Sequence, residues 1–137
     1  MSMKYSGQCL CGAITYSVDV EPVFTGNCHC KDCQRTSGGA FIPAMIFSEK
    51  DVVVSGEPKY FGSLADSGNM HKRGFCPDCG SQLFGRFSNM PGFLGIKAGT
   101  LDNSSNYIPT LDFYVGSAAS WDFMDPNIPK KQEAAKS

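Results

Sequence analysis

The sequence predicts a turn-rich, all-β protein, and three observations predict it. Fifteen glycines and eight prolines punctuate the 137 residues, which suits short strands joined by turns better than a helical bundle. The stretch 12–20 alternates Ala13, Thr15 and Ser17 with Ile14, Tyr16 and Val18, the period of two of a half-buried strand. No segment carries a helical pattern longer than about ten residues.

Composition narrows the function classes. Apolar residues are 42% of the chain, enough for a core, while charged residues are 18% and the net charge is −1. That balance excludes the broad basic surface of most nucleic-acid binders. The length fits one domain, read as a β domain over residues 1–125 and a flexible C-terminal tail over 126–137, its last residues from 130 onward frayed. No stretch approaches the roughly 20 apolar residues that span a bilayer, and residues 1–5 have no apolar signal-peptide core behind them. The chain is therefore expected in the cytoplasm, where thiols stay reduced, with no membrane partner.

Taken in order, residues 3–8 and 12–20 read as strands joined through Cys9-Leu10-Cys11-Gly12, with Gly12 supplying the positive φ that folds the backbone round a metal. Glu21-Pro22 breaks the second strand, and residues 24–26 lead into Cys28-His29-Cys30-Lys31-Asp32-Cys33. Residues 30–36 form one or two helical turns with Cys30 and Cys33 on one face, stopped by Ser37-Gly38-Gly39. The apolar run 40–47 reads as a strand, and Pro43 places it at a sheet edge or bulge. Residues 52–55 and 59–61 read as a hairpin round Gly56-Glu57-Pro58, and 64–69 as a loop. Strands 70–75 and 82–87 flank Cys76-Pro77-Asp78-Cys79-Gly80, the form of a zinc knuckle. Residues 93–98 and 111–115 are further strands, and Trp121 and Phe123 are expected to pack the last segment onto the body.

All seven cysteines fall in the pattern C-x-C, C-x-C-x-x-C, C-x-x-C. An odd count speaks against a complete disulfide framework, and the spacing speaks for metal. Seven divides into four and three: four thiolates close a tetrahedral zinc shell, whereas three leave one position for water or substrate. In one partition Cys9, Cys11, Cys76 and Cys79 form the closed site and Cys28, Cys30 and Cys33 the open one; in the other, one outer pair joins part of the central cluster. The first is the better arrangement, because three thiols within six residues can surround one ion while two separated pairs on strand turns meet across a sheet. A closed site joining such distant residues acts as a staple, so loss of Cys76 or Cys79 should cost folding and loss of Cys30 activity. A structural central cluster that borrows His29 or His71 as fourth ligand is the competing reading. His29 lies between two ligands, so its ring is expected to point away from their metal, in a supporting or surface role. His71 reads as an ordinary polar strand residue. Redox use of Cys30-Lys31-Asp32-Cys33 is disfavoured, since no βαβ pattern surrounds it.

Three stretches carry a family resemblance. Gly7-Gln8-Cys9-Leu10-Cys11-Gly12-Ala13-Ile14-Thr15-Tyr16 resembles the opening signature of the glutathione-dependent formaldehyde-activating enzyme family, which also contains centromere protein V. Cys28 through Gly38 is similar to its second signature and Phe75 through Ser81 to its third, and the 109–121 region is similar to its C-terminal segment. The resemblance implies small antiparallel sheets in a zinc-pinned "β-tent". It implies two Zn2+ per chain, a structural one on Cys9, Cys11, Cys76 and Cys79 and a catalytic one on Cys28, Cys30 and Cys33. One departure is visible: Asp112-Phe113 stands where members often carry His-Ile.

The chemistry that follows is that of a zinc-dependent carbon–sulfur lyase or synthase joining a thiol such as glutathione to an aldehyde such as formaldehyde. A metal with one open position holds a substrate thiol as the thiolate near neutral pH. Three thiolates already offset the ion's charge, which favours thiol presentation over water activation. Lys31, Arg35 and the Ser37-Gly38-Gly39 backbone are candidate anchors for substrate carboxylates. The rival expectation, from another class, is a non-catalytic zinc-stabilised binding module.

Overall fold

The structure, a computed structural model, describes residues 4–65 and 67–134. Its strands are β1 (Tyr5–Gln8), β2 (Thr15–Val18), β3 (Phe24–Cys28), β4 (Ile42–Ser48), β5 (Val52–Ser55), β6 (Lys59–Leu64), β7 (Met70–Phe75), β8 (Gln82–Phe87), β9 (Phe93–Lys97) and β10 (Asp112–Phe113); the one α-helix among the described residues is α1 (Lys31–Ser37). They form a three-stranded sheet, β1-β2-β5, and a seven-stranded sheet, β10-β3-β4-β9-β8-β7-β6. The β expectation holds. The pairs are antiparallel except β10 on β3, which run parallel because the chain returns to β3's outer edge from a distant loop.

The core lies between the two sheets. Alternation along the strands sends Tyr5, Tyr16 and Val18 of the small sheet, and Met45, Phe47, Phe84, Leu94 and Ile96 of the large one, to the same interior. Tyr5 meets Phe47 edge to face at 5.6 Å and Tyr16 meets Phe84 at 5.8 Å, a geometry worth about 1 kcal/mol per pair beyond burial. The opposite face of the large sheet carries Cys28, Ala44, Lys97, Gly95, Gly85, Arg73 and His71, as the ladder registers require.

Several local expectations give way to tertiary structure. Residues 52–55 and 59–64 do not pair as a hairpin: β5 joins β2 and β6 joins β7, so the turn between them carries the chain from one sheet to the other. Gly56 makes that crossing at φ +99°, where an added Cβ would lie 2.3 Å from the Ala13 carbonyl oxygen. Gly56→Ala is therefore expected to destabilise the fold by about 1–3 kcal/mol, read as a lowered thermal midpoint; an unchanged midpoint would show that the crossing is not constrained. Pro43 is not at an edge, because β4 lies between β3 and β9. It is tolerated because the β9 ladder begins one residue later, at Ala44–Lys97, and asks no amide of it.

The C-terminal segment also departs from its pattern. Trp121 and Phe123 are 69% and 91% exposed, because Asp122 between them takes the inward position and turns its neighbours out. Residues expected to fray are hydrogen-bonded beside β10: the amides of Asp112, Tyr114 and Val115 donate to the carbonyls of Pro129, Glu133 and Lys131. Residues 135–137 lie outside the described ones. Among the described residues no helix is long and apolar enough to cross a membrane.

Candidate functional site

The two knuckle turns bring one thiol pair from each sheet. The C-x-C turn follows β1, with the Gly12 amide donating to Cys9 O at 3.1 Å and Gly12 at φ 80°. The C-P-x-C turn follows β7, where the Gly80 amide donates to Cys76 O at 2.8 Å. The Leu10 amide donates across to Ser81 Oγ at 3.0 Å and holds the turns together. The sulfurs of Cys9, Cys11, Cys76 and Cys79 all lie within 4.8 Å of one another. Cys11 Sγ is 3.7 Å from both Cys9 Sγ and Cys76 Sγ. Four sulfurs about 2.3 Å from one ion in a tetrahedron stand about 3.8 Å apart, so the cluster fits such an ion without rearrangement. Ser81, through its hydroxyl and amide, and the amide of Cys11 pull the Cys79 thiol down to about 5, favouring the thiolate that a metal requires.

The second cluster forms where β3 runs into α1. Cys28 ends β3, Cys30 caps the helix with its sulfur accepting from the Cys33 amide at 3.3 Å, and Cys33 points from the first turn. Their three sulfurs also lie within 4.8 Å of one another. Hydrogen bonds from the Cys28 and Cys33 thiols, and from backbone amides, pull the Cys30 thiol down to about 2 against the effect of burial. Hydrogen bonds to Cys30 and Cys33, and then burial, push the Cys28 thiol far up. For Cys33 the bond from Cys28 pulls down, but Cys30 and burial outweigh it and raise the thiol to about 11. No fourth ligand joins this group among the described residues.

His29 is not that fourth ligand. Its ring is fully buried and turned away from the thiols, Nδ1 meeting Asp122 Oδ2 at 2.5 Å and Nε2 meeting Asp112 Oδ1 at 2.9 Å. This excludes the surface role that the sequence left open. Asp112, at the family departure, also accepts from Asn27 Nδ2 and Lys130 Nζ, each at 3.0 Å. Burial alone would raise its carboxyl; the bonds from His29, Asn27 and Lys130 outweigh that and hold it below the ordinary 3.8.

His71 is not an ordinary polar strand residue. It is 9% exposed, with its ring 4.5 Å from that of Phe87. Burial first, then Arg73 and Lys97, lower its pKa to about 3, against a pull from Cys30, so the ring is neutral near pH 7. Lys97 is lowered to about 8 by burial and Arg73, opposed by Cys33, Cys28 and Cys30. No sequence motif joins His71 to Arg73 and Lys97. The one local signal is the i, i+2 spacing of His71 and Arg73 in a strand, which puts both on one face. Lys31 and Arg35, the anchors suggested instead, are exposed on α1.

Two sheets whose turns meet at a four-thiol cluster, with a three-thiol cluster where β3 runs into α1, define a β protein with two cysteine groups that could each hold a metal ion. The chain belongs to the glutathione-dependent formaldehyde-activating enzyme family, which it matches over residues 4–117. It is 31% identical over 86 residues to a Schizosaccharomyces pombe protein named as an uncharacterized lyase, an alignment spanning 63% of this chain and 60% of that one. A crystal structure of a Rhodobacter sphaeroides protein shares the fold, with TM-score 0.57 and 18% identity over 91% of this chain and 98% of the other.

Proposed function

We propose that this protein is a zinc-dependent carbon–sulfur lyase or synthase that joins a thiol such as glutathione to an aldehyde such as formaldehyde, with one structural and one catalytic zinc. The observation that carries this reading is the three-thiol cluster with no fourth ligand among the described residues, together with a second cluster of four thiols. Zinc bound there by Cys28, Cys30 and Cys33 would hold a substrate thiol as the thiolate in its remaining position. His29 leaves that position free because both its nitrogens face carboxylates. The Cys33 amide, bonded to Cys30 Sγ, offsets charge on the cluster. In the reaction the thiolate sulfur bonds to the aldehyde carbon, the carbonyl π pair moves to oxygen, and the proton given up by the thiol ends on that oxygen. Family membership and the lyase name of the yeast relative support this chemistry.

The test is exchange NMR of glutathione and formaldehyde with the metal-loaded protein, measured above the uncatalysed addition. Cys30→Ser is expected to lose roughly a hundredfold or more of the catalysed rate, while its thermal midpoint stays near wild type because the four-thiol staple is intact. Equal rates for the two proteins would remove this reaction from consideration. A single bound metal with no response to added thiol would favour a binding module instead.

A further inference from the structure

Arg73 is 3% exposed, and its Nε has no hydrogen-bond partner. The guanidinium reaches only the Ser63 hydroxyl, at 3.4 Å, and no carboxylate pairs with it among the described residues. His71 Nε2 is likewise buried and without a partner. Buried guanidinium groups are ordinarily matched by an anion, since an uncompensated buried charge is among the most costly arrangements in a fold. Lys97, whose charge Arg73 repels, has the same sign and offers it no match.

Two glycines give these groups the room to converge. Gly85 of β8 pairs with Arg73 on one side and Gly95 of β9 on the other. A Cβ on Gly85 would lie 3.0 Å from His71 Nε2 and 3.5 Å from Lys97 Nζ, and one on Gly95 would lie 3.4 Å from the Phe87 ring. Two facing glycines thus form a floor covered by neighbouring side chains: His71 Nε2 and Lys97 Nζ converge over Gly85, which pairs with Arg73, and the Phe87 ring lies over Gly95. Strand alternation puts this floor on the face that carries Cys28, and Lys97 and His71 both feel charge on the thiol cluster.

We propose that Arg73, Lys97 and His71 form an anion-binding trough over Gly85 and Gly95 that takes a carboxylate of the thiol-bearing substrate, an assignment that rests on the thiol reading above. The guanidinium offers Nε–H to a carboxylate oxygen, Lys97 supplies the second charge, and the neutral His71 ring offers Nε2–H. The trough makes the site selective for acidic thiols over neutral or cationic ones, because a substrate without the carboxylate leaves the buried donors unpaired.

The probe is S-methylglutathione, which keeps both carboxylates but cannot give a thiolate, compared with its diethyl ester. Titration of the zinc-loaded protein, followed by calorimetry and by the Arg73 Nε–H resonance, is expected to show the acid binding about tenfold to a hundredfold more tightly than the ester and moving that resonance. Arg73→Met should reduce the acid to the ester's affinity, Arg73→Lys should restore part of it, and Gly85→Ala should weaken it by pushing His71 Nε2 and Lys97 Nζ out of place. Equal affinities for acid and ester, a stationary Arg73 resonance, or no acid binding at millimolar concentration would overturn the proposal. These measurements on the wild-type protein decide the matter even if Arg73→Met does not fold. The thiol reading is separated by cobalt-substituted protein, whose sulfur-to-metal absorption should change with glutathione. A change with glutathione but no Arg73-dependent binding of the S-methyl acid sinks the trough alone; the reverse pattern sinks thiol presentation alone.

Discussion

Cys76→Ser is expected to leave the chain largely unfolded at 25 °C, whereas Cys30→Ser leaves it folded. The argument is one of connectivity and magnitude. Cys9 and Cys11 follow β1 of the small sheet, and Cys76 and Cys79 follow β7 of the large one, so a metal held by the four thiols would clasp the two sheets across the core. Cys76 is fully buried, and its sulfur lies 3.7 Å from that of Cys11. Structural zinc in small domains contributes roughly 10 kcal/mol or more, comparable with the entire net stability of a domain, about 5–15 kcal/mol. Losing one ligand of four need remove only part of that to unfold the chain. Near-ultraviolet circular dichroism and thermal scans of both variants would check this, with a strong chelator reproducing the Cys76→Ser result on the wild-type protein. A cooperative, near-wild-type transition in Cys76→Ser would show that sheet packing holds the two halves without the clasp.

What was legible in the sequence was local chemistry, and what was not was the destination of each segment. The strands flanking C-P-x-C-G were readable to the residue, 70–75 and 82–87, because the knuckle fixes their ends and the alternation lies within each. The thiol partition was readable as convergence, since Cys28, Cys30 and Cys33 are neighbours in the chain and the other four can meet only as pairs. Sheet membership was not readable: Val52–Ser55 and Lys59–Leu64 carry the same apolar content whether they pair with each other or go to different sheets. Nor was the trio of His71, Arg73 and Lys97, which meets only because β7, β8 and β9 lie side by side. The inverted burial of Trp121, Asp122 and Phe123 defeats hydrophobicity altogether, since an aspartate goes inside to meet a histidine 93 residues away.

That histidine is the subject of the second large effect. Asp112→Ala is expected to destabilise the protein by about 3–5 kcal/mol, because it leaves a buried charge-paired network open on one side. His29 faces a carboxylate at each ring nitrogen, Asp112 at Nε2 and Asp122 at Nδ1. Removing Asp112 strips an acceptor from His29 Nε2, Asn27 Nδ2 and Lys130 Nζ together. At about 2–5 °C per kcal/mol for a chain of this size, the midpoint should fall by about 10 °C or more. The sign of the pH dependence follows from the depressed Asp112 carboxyl. Its unfolded pKa exceeds its folded one, so its contribution is complete above the unfolded value of 3.8 and is lost as pH falls through the lower folded value. The gap between wild type and Asp112→Ala should therefore be constant from neutral pH to about 5 and close below 4. The clamp also bears on the site, because the His29 amide donates to Phe113 O at 3.0 Å and its ring fixes the backbone between Cys28 and Cys30. Asp112→Ala should accordingly speed metal loss from the three-thiol cluster and spare the four-thiol one, seen as one fast and one slow metal in a chelator competition. Unchanged release of both metals would confine His29 to holding the C-terminal segment, with no part in shaping the open centre.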